Sequence, residues 1–169
     1  GSVILGAAEN AGRLFREVEA RAVDGNFEAA ARAVVQARRA EKKAIAGYGH
    51  PLHKNRDPRV DALFAVAAKH DIDQRYIAIA EAVERVIPEV VGKELKLNVS
   101  AAIPALLLGI NFPLDAVKGV PILARTGGLI AHLNEELQRS IGFALSYQAT
   151  RAAVFDGVSS AGSDNGARA

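Results

Sequence analysis

From Val99 to Ile110 the chain reads Val-Ser-Ala-Ala-Ile-Pro-Ala-Leu-Leu-Leu-Gly-Ile, an almost uninterrupted apolar run without a charge. A helix that is apolar around its whole circumference has to be covered on every side. The run falls far short of the ~20 residues of a membrane span, so the cover must come from the rest of the chain. The rest reads as helices. Leu14, Phe15, Val18 and Ala22 share one face of a first helix, at the spacing of a 3.6-residue period. Val23-Asp24-Gly25-Asn26 breaks it, and Phe27, Ala30, Ala31 and Val34 carry a second helix to a basic end, Arg38-Arg39 with Lys42-Lys43. Asp57 caps a third helix with Pro58 at its first position, turning Val60, Leu63, Phe64 and Ala67 inward. Asp71-Ile72-Asp73 opens a fourth, with Tyr76, Ala80, Val83 and Ile87 on one face. After a turn at Asn111-Phe112-Pro113, a last long helix runs from about Pro121 to Arg139, its Gly127-Gly128 pair permitting close backbone approach. No stretch alternates with the two-residue period of a strand. The expected class is all-α, without internal repeats.

Composition excludes several functions. The 169 residues suffice for one domain with a real core, and half of them are hydrophobic while only 5% are aromatic. The absence of cysteine excludes disulfides, thiol catalysis and thiolate-held metal. A formal charge of +2, with no basic stripe interleaved with aromatics, argues against a nucleic-acid partner. No signal peptide or membrane span is read, and the expected location is the cytoplasm. The four histidines make no ligand spacing with carboxylates, so no metal is expected. Residues 156–169, rich in Ser, Gly and Ala, are expected to be a disordered tail.

The chemistry concentrates in Gly47-Tyr48-Gly49-His50-Pro51-Leu52-His53-Lys54-Asn55-Arg56-Asp57-Pro58-Arg59. Its glycines allow close approach of the backbone or positive φ. An imidazole and a guanidinium converging on one ligand suit a carboxylate that must be both held and polarised. Read alone, the segment is equally a polar, basic loop between two helices.

This segment resembles the signature loop of the citrate synthase family, Gly-aromatic-Gly-His followed by Asp-Pro-Arg. Two later segments keep that family's order: Leu97-Asn98-Val99-Ser100-Ala101-Ala102, and Ala124-Arg125-Thr126-Gly127-Gly128-Leu129-Ile130-Ala131-His132. The resemblance covers residues 1–150. It implies the all-α citrate synthase fold, here the small domain plus the C-terminal part of the large one. Residues 1–110 would be mostly the small domain, and 111–155 the C-terminal helices of the large domain. Family members are longer, so the remainder would be absent from a fragment or supplied by a companion polypeptide.

The resemblance also implies a reaction: making or cleaving a carbon–carbon bond between an acyl-CoA and a 2-oxo acid, as a lyase or an acyltransferase. His50 stands where a histidine hydrogen-bonds the 2-oxo carbonyl. Arg59 and Arg125 stand at carboxylate-clamping places, and Arg139 at an arginine given to the neighbouring subunit of a homodimer. Lys54, with Lys42 and Lys43 nearby, would meet the phosphates of CoA, and the backbone of Ala46, Gly47, Tyr48 and Gly49 its adenine. For Arg125 a helix-surface role stays open, as does helix capping for the basic end. No bound cofactor is implied; CoA enters as the carrier of the substrate.

Two departures from the family pattern bear on the reaction. Ile4 occupies the place of the enol-stabilising histidine, a substitution shared with the citryl-CoA lyase branch, whose histidine comes from further upstream. Ser100 occupies the place of the catalytic aspartate, and a neutral hydroxyl cannot serve as that base. Glu94, nearby in sequence, lies about a turn and a half away on the wrong side. These features point to a citryl-CoA lyase with an altered acid/base arrangement. The rival is a family member that binds CoA and carboxylates but has lost turnover. A plain helical scaffold is the third reading, which the signature loop argues against. His53, His70 and His132 carry no assigned role: exposed, at a helix end and structural, respectively.

Overall fold

The computed structural model describes residues 6–53, 55 and 57–153. The expected disordered tail, Ile4 and Lys54 lie outside the described residues. Among these, the chain forms α1 (Ala7–Arg21), α2 (Phe27–Ala40), α3 (Pro58–Lys69), α4 (Arg75–Val91), α5 (Val99–Gly109), a 3-10 turn (Leu114–Ala116), α6 (Gly119–Gln138) and α7 (Gly142–Ala152). No strand is present among them, only one antiparallel bridge between Tyr48 and Leu97. The fold is all-α. Two compact units divide it, Gly1–Arg125 and Thr126–Ala169.

In the first unit α5 is the central element, packed by α1, α3 and α4, while α2 lies on α4 and α1. The apolar faces read from the sequence supply the contacts: Leu14, Phe15 and Val18 of α1, Val34 and Val35 of α2, and Ile79, Val83, Val86 and Ile87 of α4 are buried together. Each such side chain contributes about 1.5–3 kcal/mol when withdrawn from water. The helix starts follow local chemistry. Asn26 accepts from the Ala29 amide to cap α2, Asp57 caps α3 with Pro58 behind it, and Asn98 accepts from the Ser100 amide to cap α5.

Two expectations need correction, and one helix is added. The fourth helix begins at Arg75, not at Asp71: Asp71 adopts φ of 50°, and Asp73 accepts from the Arg75 amide as a turn before the helix. The long helix read from about Pro121 to Arg139 is α6, and a further helix that the sequence reading lacks, α7, follows it, with Glu136 accepting from the amides of Ile141 and Gly142 at its start. Most relevant to function, α5 is not covered on every side. Val99, Ser100, Ile103 and Leu107 are only partly buried and Ile110 is exposed. They recur at helical spacing, and the strip opens at its N-terminal end onto a cleft.

The second unit holds the rest of α6 and all of α7. Its apolar side chains face outward, with Leu137 88% and Phe143 92% exposed.

Candidate active site

The signature loop is stitched to the start of α5. Gly47 has φ of 90° and Gly49 of 78°, values an L side chain rarely adopts. The space confirms the need for glycine at the first of them: a Cβ on Gly47 would stand 2.6 Å from the Ala101 Cβ. So close an approach lets the Gly47 carbonyl accept from the Asn98 amide (2.9 Å) and the Gly49 amide donate to Lys96 (2.7 Å). The Asn98 side chain returns a bond to the Gly49 carbonyl (2.7 Å). Tyr48, between the glycines, is buried and donates its hydroxyl to the Ala80 carbonyl of α4 (2.8 Å). Burial and the Glu84 charge push its phenol well above the ordinary range. The Glu84 carboxylate also accepts from the Leu97 amide (2.8 Å).

His50 follows this anchored turn. Its Nδ1 accepts from the backbone amides of Leu52 (3.1 Å) and His53 (3.2 Å). A ring nitrogen that accepts from two N–H groups carries no proton, so in the neutral imidazole the proton resides on Nε2. The His53 ring lies 4.6 Å away, tilted by 33°.

The loop ends on Asp57, whose side chain is 1% exposed. Its carboxylate is saturated. Oδ1 accepts from the Arg59 amide (3.1 Å) and Nε (2.9 Å), and Oδ2 from Arg59 Nη2 (2.8 Å) and the Val99 amide (3.0 Å). The Arg59 guanidinium holds this acid well below the usual carboxylate range, against the opposing effect of burial, and the Val99 and Arg59 amides add to it. Asp57 therefore caps α3, orients Arg59 and secures the first amide of α5 at once.

Arg59 and Ser100 meet at a cleft of about 370 Å³, which Arg125 also lines. The remaining walls are Ala7, Ala8, Val99, Ile103, Pro121 and Ala124. The cleft thus offers two guanidiniums and one hydroxyl against apolar walls, and among the described residues no Asp or Glu lines it. Such a composition suits a carboxylate-bearing ligand. Arg125 Nη1 donates weakly to the Pro121 carbonyl (3.4 Å).

Arg59, Arg125 and Ser100 are therefore brought together, and the bonds among Gly47, Gly49, Asn98, Asp57 and Val99 tie the His50 loop to the helix that carries Ser100. Arg139 belongs to the second unit, where it lines a hollow with His132, Glu135, Glu136, Ile141 and Leu145. His132 approaches Glu135 at 2.7 Å. Of the basic end, Lys43 pairs with Glu41 (2.6 Å) and Arg38 with Glu17 (2.7 Å), while Lys42 takes φ of 54° where the chain leaves α2. Ala46 is half-buried, whereas Gly47 and Tyr48 are buried. Glu94 is exposed and paired with Lys96 at 3.0 Å, and it is not among the residues that line the cleft. Sequence reasoning missed the larger part of Asp57 and Asn98. Asp57 reads as a helix cap, and the same capping chemistry was an available signal at Asn98; their second bonds depend on tertiary contacts 42 and 49 residues apart.

A helical unit with a Gly-anchored histidine loop and an arginine-lined cleft at a central helix defines a class, and comparison with known proteins agrees. The family described as citrate synthase, C-terminal domain, matches residues 1–142. The chain belongs to the citrate synthase family. Its structure is similar to that of citryl-CoA lyase from Hydrogenobacter thermophilus, with a TM-score of 0.74 and 32% identity over 93% of this chain and 59% of that one. Citrate synthase from Thermotoga maritima MSB8 superposes with a TM-score of 0.65 at 27% identity, covering 82% of this chain and 37% of that one. Among curated relatives, a citrate synthase-like protein of a Phoma species is 30% identical over 64% of this chain and 25% of its own length. The citrate synthase of a Synechocystis species is 34% identical over 58% of this chain and 26% of its own length. The chain thus spans about a quarter of the length of these curated relatives.

Proposed function

We propose that this protein makes or cleaves a carbon–carbon bond between an acyl-CoA and a 2-oxo acid, with citryl-CoA cleaved to acetyl-CoA and oxaloacetate as the leading reaction. The observation that carries this reading is the orientation of His50. With Nδ1 accepting from two amides, Nε2–H is the donor left for substrate. It is suited to the oxygen that is a carbonyl in the 2-oxo acid and a hydroxyl in the citryl group. A donor placed there stabilises negative charge on that oxygen as the carbon–carbon bond forms or breaks. Arg59 and Arg125 hold the carboxylates, and the buried Asp57 keeps the Arg59 guanidinium in one orientation. The CoA moiety would be met by Lys54 and the backbone of residues 46–49. Similarity to a citryl-CoA lyase supports the lyase direction.

The second reading, a CoA- and carboxylate-binding protein with impaired turnover, is favoured by one observation: Ser100 lines the cleft in the aspartate's place, and among the described residues no carboxylate lines it. The outward apolar side chains of the second unit support a homodimer, in which Arg139 would reach the partner's site. The test is cleavage of citryl-CoA, with oxaloacetate followed by coupled NADH oxidation. Turnover that His50→Ala lowers by about 10²-fold or more supports the lyase. No turnover, with CoA binding intact by calorimetry, supports the binding protein.

A further inference from the structure

His53 reads in sequence as an exposed loop residue, and the structure shows otherwise. It is half-buried, and its ring lies against that of His50, with centroids 4.6 Å apart and planes tilted by 33°. That separation falls at the short end of the range for packed aromatic pairs, about 4.5–7 Å.

The contact bears on how His50 is held. The acceptor nitrogen of a neutral imidazole offers one lone pair in the ring plane, and here the amides of Leu52 (3.1 Å) and His53 (3.2 Å) share it. Both distances lie at the long end for an N–H donor. Two long, shared bonds fix where Nδ1 sits but leave the ring free to pivot about it. A pivot swings Nε2, across the ring, away from its target. Leu52 contributes its amide and little packing, since the residue is 80% exposed. The ring packed against His50 is that of His53. The local sequence explains how it comes there. Pro51 has no N–H to offer, so the next two amides turn in on Nδ1, and the turn that brings them carries the His53 ring back against His50.

We propose that His53 is a positioning residue: its ring, packed on that of His50, holds the imidazole where Nδ1 meets both amides and Nε2–H is presented to the substrate oxygen. The inference rests on the reading above, in which Nε2–H is that donor. His53 acts through two separable groups. Its backbone amide, which any side chain at this position keeps, helps to set the tautomer; its ring sets the direction. No proton passes through His53, and no bond forms or breaks there. The role asks for a flat ring rather than a titratable one, so phenylalanine should replace it and alanine should not.

The test compares His53→Ala and His53→Phe with the unmodified full chain, folding being checked by circular dichroism. The first measurement is citryl-CoA cleavage, resolved into kcat and KM. His53→Ala should lower kcat by about 10- to 10²-fold, the effect of a misaligned catalytic group. KM should change little, because the loss falls on an interaction made in the transition state. His53→Phe should recover most of kcat. The second measurement, which needs no turnover, is nitrogen NMR of the imidazoles, with the His50 signals assigned by their loss in His50→Gln. The unmodified protein and His53→Phe should show His50 as the single Nε2–H tautomer, and His53→Ala a mixture of the two. An unchanged kcat in His53→Ala, or a single tautomer retained there, overturns the inference and leaves the family reaction in place. A His53→Phe variant as slow as His53→Ala overturns it too, since the residue would then act through its ring nitrogens. Failure of the unmodified protein to cleave citryl-CoA, with the tautomers responding as expected, refutes the reading beneath and not the hold of His53 on His50.

Discussion

Replacing Asp57 by Ala removes a group that serves three partners, and its cost can be worked from the bonds it makes. Losing a helix cap costs about 1 kcal/mol. The Val99 amide, left inside the protein without an acceptor, costs about 1–2 kcal/mol. The ion pair adds less than its geometry suggests, since the Arg59 side chain is 51% exposed and a solvated partner limits the gain to about 1 kcal/mol or less. The sum is about 3 kcal/mol, which for a chain of this size lowers Tm by about 6–12 °C. Asp57→Asn keeps an acceptor for one amide and should lose about half as much. Denaturant titration with thermal melts by circular dichroism measures both. The pH dependence has a fixed sign. The folded acid is held below its ordinary range, so its stabilisation is complete above the unfolded value of about 3.9 and is lost as pH falls through the folded one. The gap between wild type and Asp57→Asn should therefore be constant near neutrality and shrink in strong acid. A loss below about 1 kcal/mol for Asp57→Ala would refute the claim that this residue joins the loop to α5.

Other expectations follow from the same geometry. Gly47→Ala places a Cβ 2.6 Å from Ala101 at a φ of 90° and should cost about 2–4 kcal/mol by denaturant titration; a tolerated alanine would mean that the loop does not approach α5 as described. Glu19 accepts from the Tyr76 hydroxyl (2.6 Å), Arg75 (2.9 Å) and Arg16 (3.0 Å). Burial raises its acid, but these three donors outweigh that and leave it lowered. Glu19→Gln should cost about 1 kcal/mol near neutrality, shrinking as pH falls through the acid's folded value, as thermal melts across pH would show. The homodimer proposed above is tested by Leu137→Glu with Phe143→Glu, which should give a monomer by light scattering with unchanged helicity; a monomeric unmodified protein, or an unaltered mass of the variant, would refute a dimer through this unit.

Much of the fold was legible because it is written locally. Leu14, Phe15 and Val18 recur at helical spacing, and Asp57-Pro58 carries its own start signal, so α1 and the beginning of α3 need no tertiary information. The end of α3 and the start of α4 were less legible: Asp71 in a left-handed conformation looks, in sequence, like an acidic helix start. The end of α6 near Arg139 was legible, but α7 went unread, its start being set by the Glu136 side chain that accepts from the amides of Ile141 and Gly142. The cleft was half legible. Arg59, Arg125 and Ser100 could be named from the motifs, but that α5 leaves one strip uncovered is invisible in a run apolar on every face. Asn98 and Asp57 carried a cap signal that concealed their long-range bonds.

The attachment of the histidine loop has a thermodynamic consequence. Gly47 is tied to Asn98 at one end and Asp57 to Val99 at the other, so the segment leaves from and returns to consecutive residues of one backbone. The entropy of closing such a ring is lost during folding and need not be withdrawn again from the affinity for a ligand. Binding has only to order the side chains inside the ring. Lengthening the loop between these two anchors should therefore weaken substrate affinity with little change in folding stability, whereas an insertion between α4 and Leu97, outside the ring, should leave affinity untouched.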